Sequence, residues 1–427
     1  MVVMEILWAT SQIVDMIWVG KLGSSSIAGV GIVNIFIMLV MSVDMGLILG
    51  ARAMIARHVG AGDLRRANNS AGQSIALGTI WGVLITAIGI LLAKPILVMF
   101  GAEAEVITEG VAYMRIIFAG WVSMEVLVTG LYAMQSSGDT IKPMIVEIVM
   151  RVVHVTLCPF FVLGWWVFPR LGVSGAALSN VISQSLGAVT VLSLLFSRRT
   201  RLRLALSDLR PAPNIMWRIL KIGIPALVMH LQRSLGDLVL MWIIVPFGTL
   251  AVAAHSLAFR VEMFLNAFSW GLGGGAGVLI GQNLGASQPK QAERSGWMAV
   301  SSVELIMVAC SIAIFLRAEN IIGIFTTEPK LLEIGSIFLR IAIASYLLAA
   351  FVYVLQFSIA GAGDTLPTMV VSIAMIWVVQ LPLAFFLPQV TDLGVYGVRW
   401  AIVAGMLVGA ISYITYFVLG RWKTKKI

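Results

Sequence analysis

Residues 113–140, YMRIIFAGWVSMEVLVTGLYAMQSSGDT, and residues 338–365, FLRIAIASYLLAAFVYVLQFSIAGAGDT, lie 225 positions apart and share one plan: an arginine near the start, a long apolar run and a Gly-Asp-Thr turn. The Gly60-Ala61 turn returns as Gly285-Ala286 at the same offset, and Leu171-Gly172-Val173 with Gly175 returns as Leu393-Gly394-Val395 with Gly397 at 222. Several matches at nearly one offset mark an internal repeat. Outward from this pair, apolar segments of about 20 residues or more, enough to cross a hydrocarbon core of about 30 Å as helices, alternate with polar breaks along the whole chain. Twelve spans are expected, over 2–24, 28–56, 70–99, 107–136, 142–168, 172–197, 214–246, 250–282, 294–316, 332–361, 366–388 and 394–420. Each half holds six, an even number, so the halves share one orientation and are related by a pseudo-two-fold axis along the membrane normal, the parallel-repeat plan of secondary transporters. The fold class expected is an all-α polytopic membrane protein of two six-helix bundles: an N-terminal lobe over 1–197, a basic linker over 198–213 and a C-terminal lobe over 214–427.

Composition agrees. Of 427 residues, 59% are hydrophobic and 11% charged, and the mean hydropathy is +0.98. Soluble domains are about 45–50% apolar and about 25% charged, so a soluble enzyme, a nucleic-acid-binding domain and a disordered chain are excluded. Cys158 and Cys310 both sit in apolar runs and suggest neither a disulfide framework nor a metal site. The net charge of +9 reads as membrane topology, because basic residues beside short loops stay on the cytoplasmic side. Arg57, Arg65, Arg66, Lys142, the run from Arg198 to Lys221, Lys290, Arg294, Arg421, Lys423, Lys425 and Lys426 fall in even gaps or at the C-terminus. The odd gaps hold Lys21, Arg170, Arg317 and Lys330, have Lys94 near one end, and carry Glu103, Glu105, Glu109, Glu319, Glu328 and Asp392. Both termini are therefore expected in the cytoplasm of a cell (inner) membrane protein, with the 198–221 stretch beside anionic lipid headgroups rather than on nucleic acid. Gly223-Ile224-Pro225, which opens the seventh span, maps ahead of Met1, so the chain is expected to start inside its first helix.

Four stretches carry a family likeness: Val14-Asp15-Met16-Ile17-Trp18-Val19-Gly20-Lys21-Leu22-Gly23, Ala51-Arg52-Ala53-Met54-Ile55-Ala56-Arg57-His58-Val59-Gly60-Ala61-Gly62-Asp63, Gly281-Gln282-Asn283-Leu284-Gly285-Ala286, and the two Gly-Asp-Thr turns. In their order and spacing they resemble the multidrug and toxic compound extrusion (MATE) family over essentially the whole chain. The resemblance implies export of bulky, often cationic amphiphiles, driven by inward flow of H⁺ or Na⁺. It also places the family's first-span acid on Asp15.

Coupling of that kind needs an ionisable group at membrane depth, where such groups are expensive unless paired or hydrated. Asp15 is the first candidate, and Asp44, alone in its span, is the second; a structural carboxylate bonded to a neighbour is the alternative for each. Where the family pattern has an Asn followed by Asp-Pro in the fifth span, this chain reads His154-Val155-Thr156-Leu157-Cys158-Pro159. The second carboxylate is missing, and His154, which titrates near neutral pH, is a candidate for a relay with Asp15 or a packing residue. In the seventh span Arg233 stands where one branch of the family has a cation-binding Glu, with Asp237 one turn on as a candidate partner. Both departures favour H⁺ over Na⁺.

Other charges within the spans are Glu125, Glu147, Arg151, Arg260, Glu262, Glu304 and Arg399. Glu147 and Arg151 read as an i, i+4 bridge. Arg260 and Glu262, two apart, face different sides of their helix and are not expected to pair with each other. Candidates for a substrate cavity are Asn34, Gln135, Asn180, Gln184, Gln232, Asp237 and Gln356, which offer polar contacts, with Tyr353 and Met229 as adaptable walls. No cofactor and no metal are expected beyond the coupling ion. The glycine run Gly271-Leu272-Gly273-Gly274-Gly275-Ala276-Gly277 lacks the strand and Gly-Lys-Ser/Thr of a phosphate loop and reads as close helix packing.

Expected partners are small lipophilic or cationic substrates and membrane lipids, with no nucleic acid, and the chain is read as a monomer. The function expected is a proton-coupled multidrug antiporter working by alternating access, with the lobes rocking about the 198–221 linker. The alternative is a flippase for lipids or lipid-linked oligosaccharides, for which Arg115, Arg233 and Arg340 would line a basic cavity. A major-facilitator transporter lacks support after the second span, where Gly60-Ala61-Gly62-Asp63-Leu64-Arg65-Arg66 departs from that family's loop. An enzyme would require a clustered nucleophile or metal set, and the sequence offers none.

Overall fold

The computed structural model describes residue 4 and residues 17–427 apart from 167 and 198. Among the described residues the regular elements are all helical, as they must be where no water is present to satisfy backbone N–H and C=O groups. They are α1 (Ser24–Gly60), α2 (Leu64–Leu91), α3 (Ala93–Met99), α4 (Ala104–Ala119), α5 (Trp121–Ser136), α6 (Ile141–Leu163), α7 (Val173–Phe196), α8 (Pro213–Ile244), α9 (Thr249–Gly285), α10 (Pro289–Gly323), α11 (Pro329–Ala349), α12 (Leu355–Gly361), α13 (Thr365–Ile373), α14 (Leu381–Val390) and α15 (Val395–Leu419). Wider π turns at Ala350–Val354 and Ala374–Gln380 join α11 to α12 and α13 to α14. Ten described helical segments are long and apolar enough to cross a bilayer, and α4 with α5, bent by 48°, makes an eleventh. The expected first span lies mostly outside the described residues, and Asp15 with it.

The repeat is visible in the helix bounds. Ser24–Gly60 and Thr249–Gly285 are both 37 residues long and lie 225 apart, and the starts of α2 and α10, Leu64 and Pro289, are 225 apart too. Repeated glycines serve repeated turns: Gly172 (φ 57°, ψ −133°) and Gly394 (φ 52°, ψ −133°) open α7 and α15 in a conformation that a Cβ would strain.

The chain divides into two compact units, one ending at Gly223 and one running from Ile224 to Ile427. In the first, Phe118 stacks on Trp121 with centroids 4.8 Å apart inside a core that includes Met114, Leu97 and Val162. In the second, Phe417 stacks on Trp422 at 4.7 Å inside a core that includes Phe338 and Tyr413. The boundary falls inside α8, beside Pro225, which removes a helix hydrogen bond and permits a kink there.

The basic linker is fastened to the first unit. Gln73 of α2, fully buried, donates to the carbonyls of Asp208 at 2.9 Å and Arg210 at 2.7 Å and accepts from the Ala212 N–H at 2.7 Å. Asn68 accepts from the Arg203 N–H at 2.9 Å, and Arg201 donates to the Ser137 carbonyl at 3.1 Å. Gly72 meets the backbone of Asp208, leaving no room for a side chain. Gln73→Ala removes three hydrogen bonds worth about 1 kcal/mol each, so limited trypsin digestion should cut between Arg199 and Arg210 faster than in the wild type. Unchanged cleavage would show that the other contacts hold the linker alone.

Candidate functional site

In the first unit, α1 carries Asp44 into a buried position, 4% exposed. Trp81 of α2 donates its indole N–H to Asp44 Oδ1 at 2.6 Å. Glu125 of α5, 2% exposed, takes the Trp121 indole N–H at 3.1 Å on Oε1, and its carboxyl lies within hydrogen-bonding reach of that of Asp44. Asp44 is therefore not isolated: a second acid faces it from another helix. That partner was missed because the two lie 81 positions apart and no spacing rule joins them. The local signal was Gly78 and Gly82 on α2, one turn apart, which open the space that Glu125 fills.

The other first-unit candidates disperse. His154 of α6 is 1% exposed, with Nδ1 at 3.5 Å from Ser179 Oγ, and Cys158 one turn on is fully buried. Gln135 is buried and donates to the Met4 sulfur at 3.2 Å. Asn34, Asn180 and Gln184 are part-buried on α1 and α7. Glu147 and Arg151 form the expected bridge at 2.8 Å.

The second unit gathers its candidates more closely. Gln232 of α8 donates to Ser372 Oγ at 2.7 Å and accepts the Trp377 indole N–H at 2.9 Å, while Gln356 donates to the Met229 sulfur at 2.6 Å. Arg233 acts electrostatically on Asp237, but its hydrogen bond goes elsewhere: its Nη1 donates to the Tyr353 hydroxyl at 3.1 Å and its Cζ sits 5.0 Å from the centroid of that ring. Asp237, one turn on, is exposed. Tyr353 and Trp377 both lie in the π turns, whose wider winding re-aims side chains that a regular helix would place elsewhere.

Glu262 pairs with Arg399 of α15 at 2.8 Å rather than with Arg260. This pair lines a cavity of about 50 Å³ together with Asn266, Ser345, Tyr346 and Tyr353. At about 30 Å³ per water the space suits one or two solvent molecules, far below the ~300 Å³ or more of a drug-sized pocket. Of the arginines considered for a flippase, Arg340 pairs with Glu319 at 3.0 Å on an exposed surface, Arg233 is turned to Tyr353, and Arg115 is exposed.

Two helical units built on one repeat, with acids held at membrane depth, are the architecture of a transporter. The MatE family model matches residues 1–160 and 225–386. The chain belongs to the MATE family. It is similar to the probable multidrug resistance protein NorM of Thermotoga maritima, 26% identical over 416 residues that cover 97% of this chain and 89% of that one. The multidrug export protein MepA of Staphylococcus aureus is 25% identical over 83% of this chain and 77% of its own length. Among solved structures, the outward-facing conformation of a multidrug resistance MATE family transporter of the MOP superfamily matches with a TM-score of 0.90 at 25% identity, over 99% of this chain and 93% of that one. This MATE-family chain is an integral membrane transporter and not an enzyme.

Proposed function

We propose that this MATE-family protein exports cationic or amphiphilic small molecules from the cytoplasm in exchange for H⁺. It acts as a monomer in the cell membrane with both termini cytoplasmic, by alternating access of the two units. The names of its relatives support multidrug export. The observation that carries the exchange is Asp44, a carboxyl buried in the first unit that takes the Trp81 indole N–H and faces Glu125. An acid at that depth is expensive unless it is paired, hydrated or neutralised by a bound cation, and binding a proton here supplies the neutralisation. The basic linker is bound along the first unit, so the pivot of the rocking motion moves from the linker to Gly223-Ile224-Pro225 within α8.

The test is transport of a fluorescent lipophilic cation into liposomes carrying the reconstituted protein, under an imposed pH gradient or an imposed Na⁺ gradient. Transport that requires the pH gradient, and that falls to the leak of empty liposomes in Asp44→Asn, is the expected result. Transport driven by the Na⁺ gradient alone would overturn the choice of ion, and transport unchanged by Asp44→Asn would move the coupling group elsewhere.

A further inference from the structure

The repeat separates what the fold requires from what the first unit adds. At the offset of 225, Asp44 corresponds to Ser269, Glu125 to Ala350, Trp81 to Ile306 and Trp121 to Tyr346. Gly78 and Gly82, which face Glu125, correspond to Val303 and Met307, both fully buried in the second core. A Cβ on Gly78 would stand 2.9 Å from Thr129 Cγ2 and 3.4 Å from Glu125 Oε2, and one on Gly82 would stand 3.1 Å from Glu125 Cγ. One scaffold is thus packed twice in the same chain. The second unit fills the space with Val, Met and Ala; the first removes two side chains from α2 and inserts a glutamate opposite an aspartate. The second unit shows that these positions, with Ser269 and Ala350 in place of the two acids, need no carboxyl, and burying two of them there is costly unless they bind something.

What they can bind follows from their hydrogen bonds. Trp81 and Trp121 each satisfy one carboxylate oxygen, while Asp44 Oδ2 is buried and meets no donor among the described residues. Two ionised carboxylates offer each other acceptors only. One proton between them turns the contact into a charge-assisted O–H···O bond and leaves a single negative charge where two would repel. Among the described residues the charged side chain acting on each acid is the other one; α2 contributes the neutral Trp81, and α5 the neutral Trp121 and Thr129.

We infer that Asp44 and Glu125 form one proton-binding site in the first unit, holding a single proton shared between the two carboxyl groups. Its use in transport rests on the exchange reading above: the proton leaves to water, the pair passes from one negative charge to two, and a monovalent cationic substrate supplies the compensating charge.

The test has two parts. Infrared titration of the protein in phosphatidylethanolamine–phosphatidylglycerol liposomes, in H₂O and D₂O, follows the carbonyl stretch of protonated carboxyl groups while indole fluorescence reports Trp81 and Trp121. The wild type should show one transition seen by both signals. Asp44→Asn and Glu125→Gln should each replace it with a transition at a different pH, where the remaining carboxyl titrates alone, and the double variant should show none. The quadruple variant Asp44→Ser, Gly78→Val, Gly82→Met, Glu125→Ala, which copies the second unit's residues at these positions, should lose the transition and still elute as a monodisperse protein. Two separable transitions, each removed by one substitution, would overturn the shared site. In the second part, adding tetraphenylphosphonium to lightly buffered protein should release about one proton per chain from the wild type and none from the double variant. Release with no contribution from the pair would overturn the site, whereas an intact titration without release would leave the site standing and overturn the exchange reading.

Discussion

Arg399→Leu is expected to destabilise the protein by about 3–5 kcal/mol, and Glu262→Leu by a similar amount, whereas the two together should cost far less than the sum. The ion pair closes at 2.8 Å with the arginine side chain 2% exposed and the carboxylate 17% exposed. Its guanidinium carbon also sits 4.8 Å from the Phe338 ring centroid. Removing one partner leaves the other charge beside a small cavity of about 50 Å³, and that stranded charge carries most of the penalty. Removing both takes the charge away, and what remains is a packing defect beside Ile402 and Met406. Thermal melting of the detergent-solubilised protein should therefore rank the variants as wild type, double, then the two singles. A double variant as unstable as the singles added together would show that Arg399 acts through its stacking on Phe338 and not through its charge.

That pair also marks the limit of what the chain reveals on its own. The offset of 225 set the helix bounds because the repeat is a property of adjacent residues: the same glycines close the same turns, and the hydropathy of each span sets its length. Which way a helix faces is a different matter, decided by neighbours far along the chain. Glu262 and Arg399 are 137 positions apart, Arg233 and Tyr353 are 120 apart, and Asp44 finds Trp81 after 37. The i, i+4 rule identified Glu147–Arg151, and Asp237 does act on the Arg233 charge, but the hydrogen bond of Arg233 goes to the Tyr353 hydroxyl, which a neighbouring span supplies. The two π turns were not legible either, since apolar composition runs through them unbroken; yet they fix where Tyr353 and Trp377 point. In the candidate site, Asp44 stood out as a lone charge in its span, while Glu125 could be recognised as its partner only once α1, α2 and α5 were seen packed together.

Gly361→Val should be as damaging to the second unit as breaking its buried ion pair. Lipid tails are as apolar as the side chains that leave them, so helices in a membrane associate mainly through close van der Waals fit, and glycine lets backbones approach. At the crossing of α9 with α12, a Cβ on Gly361 would fall onto the backbone of Gly277, 2.5 Å from its Cα. From the opposite side, a Cβ on Gly277 would lie 2.7 Å from the Phe357 carbonyl oxygen, and one on Gly273 would lie 3.2 Å from the Val354 Cα. The obstacles are main-chain atoms of other helices, so no rotamer change relieves the clash and the helices must separate. The separation would propagate to the π turn at Ala350–Val354, seven to eleven residues back along the same span, where Tyr353 holds Arg233. A cost of about 3 kcal/mol or more is expected, at the upper end for overpacking, read as a lower melting temperature and a loss of monodisperse protein. Gly31→Ala provides the control: its Cβ would meet nothing within 4 Å among the described residues, and removing a glycine from a helix interior should raise stability by about 0.5–1 kcal/mol. If Gly361→Val melted like the wild type, the crossing would have to tolerate a wider separation, and the glycine run of α9 would need a role other than packing.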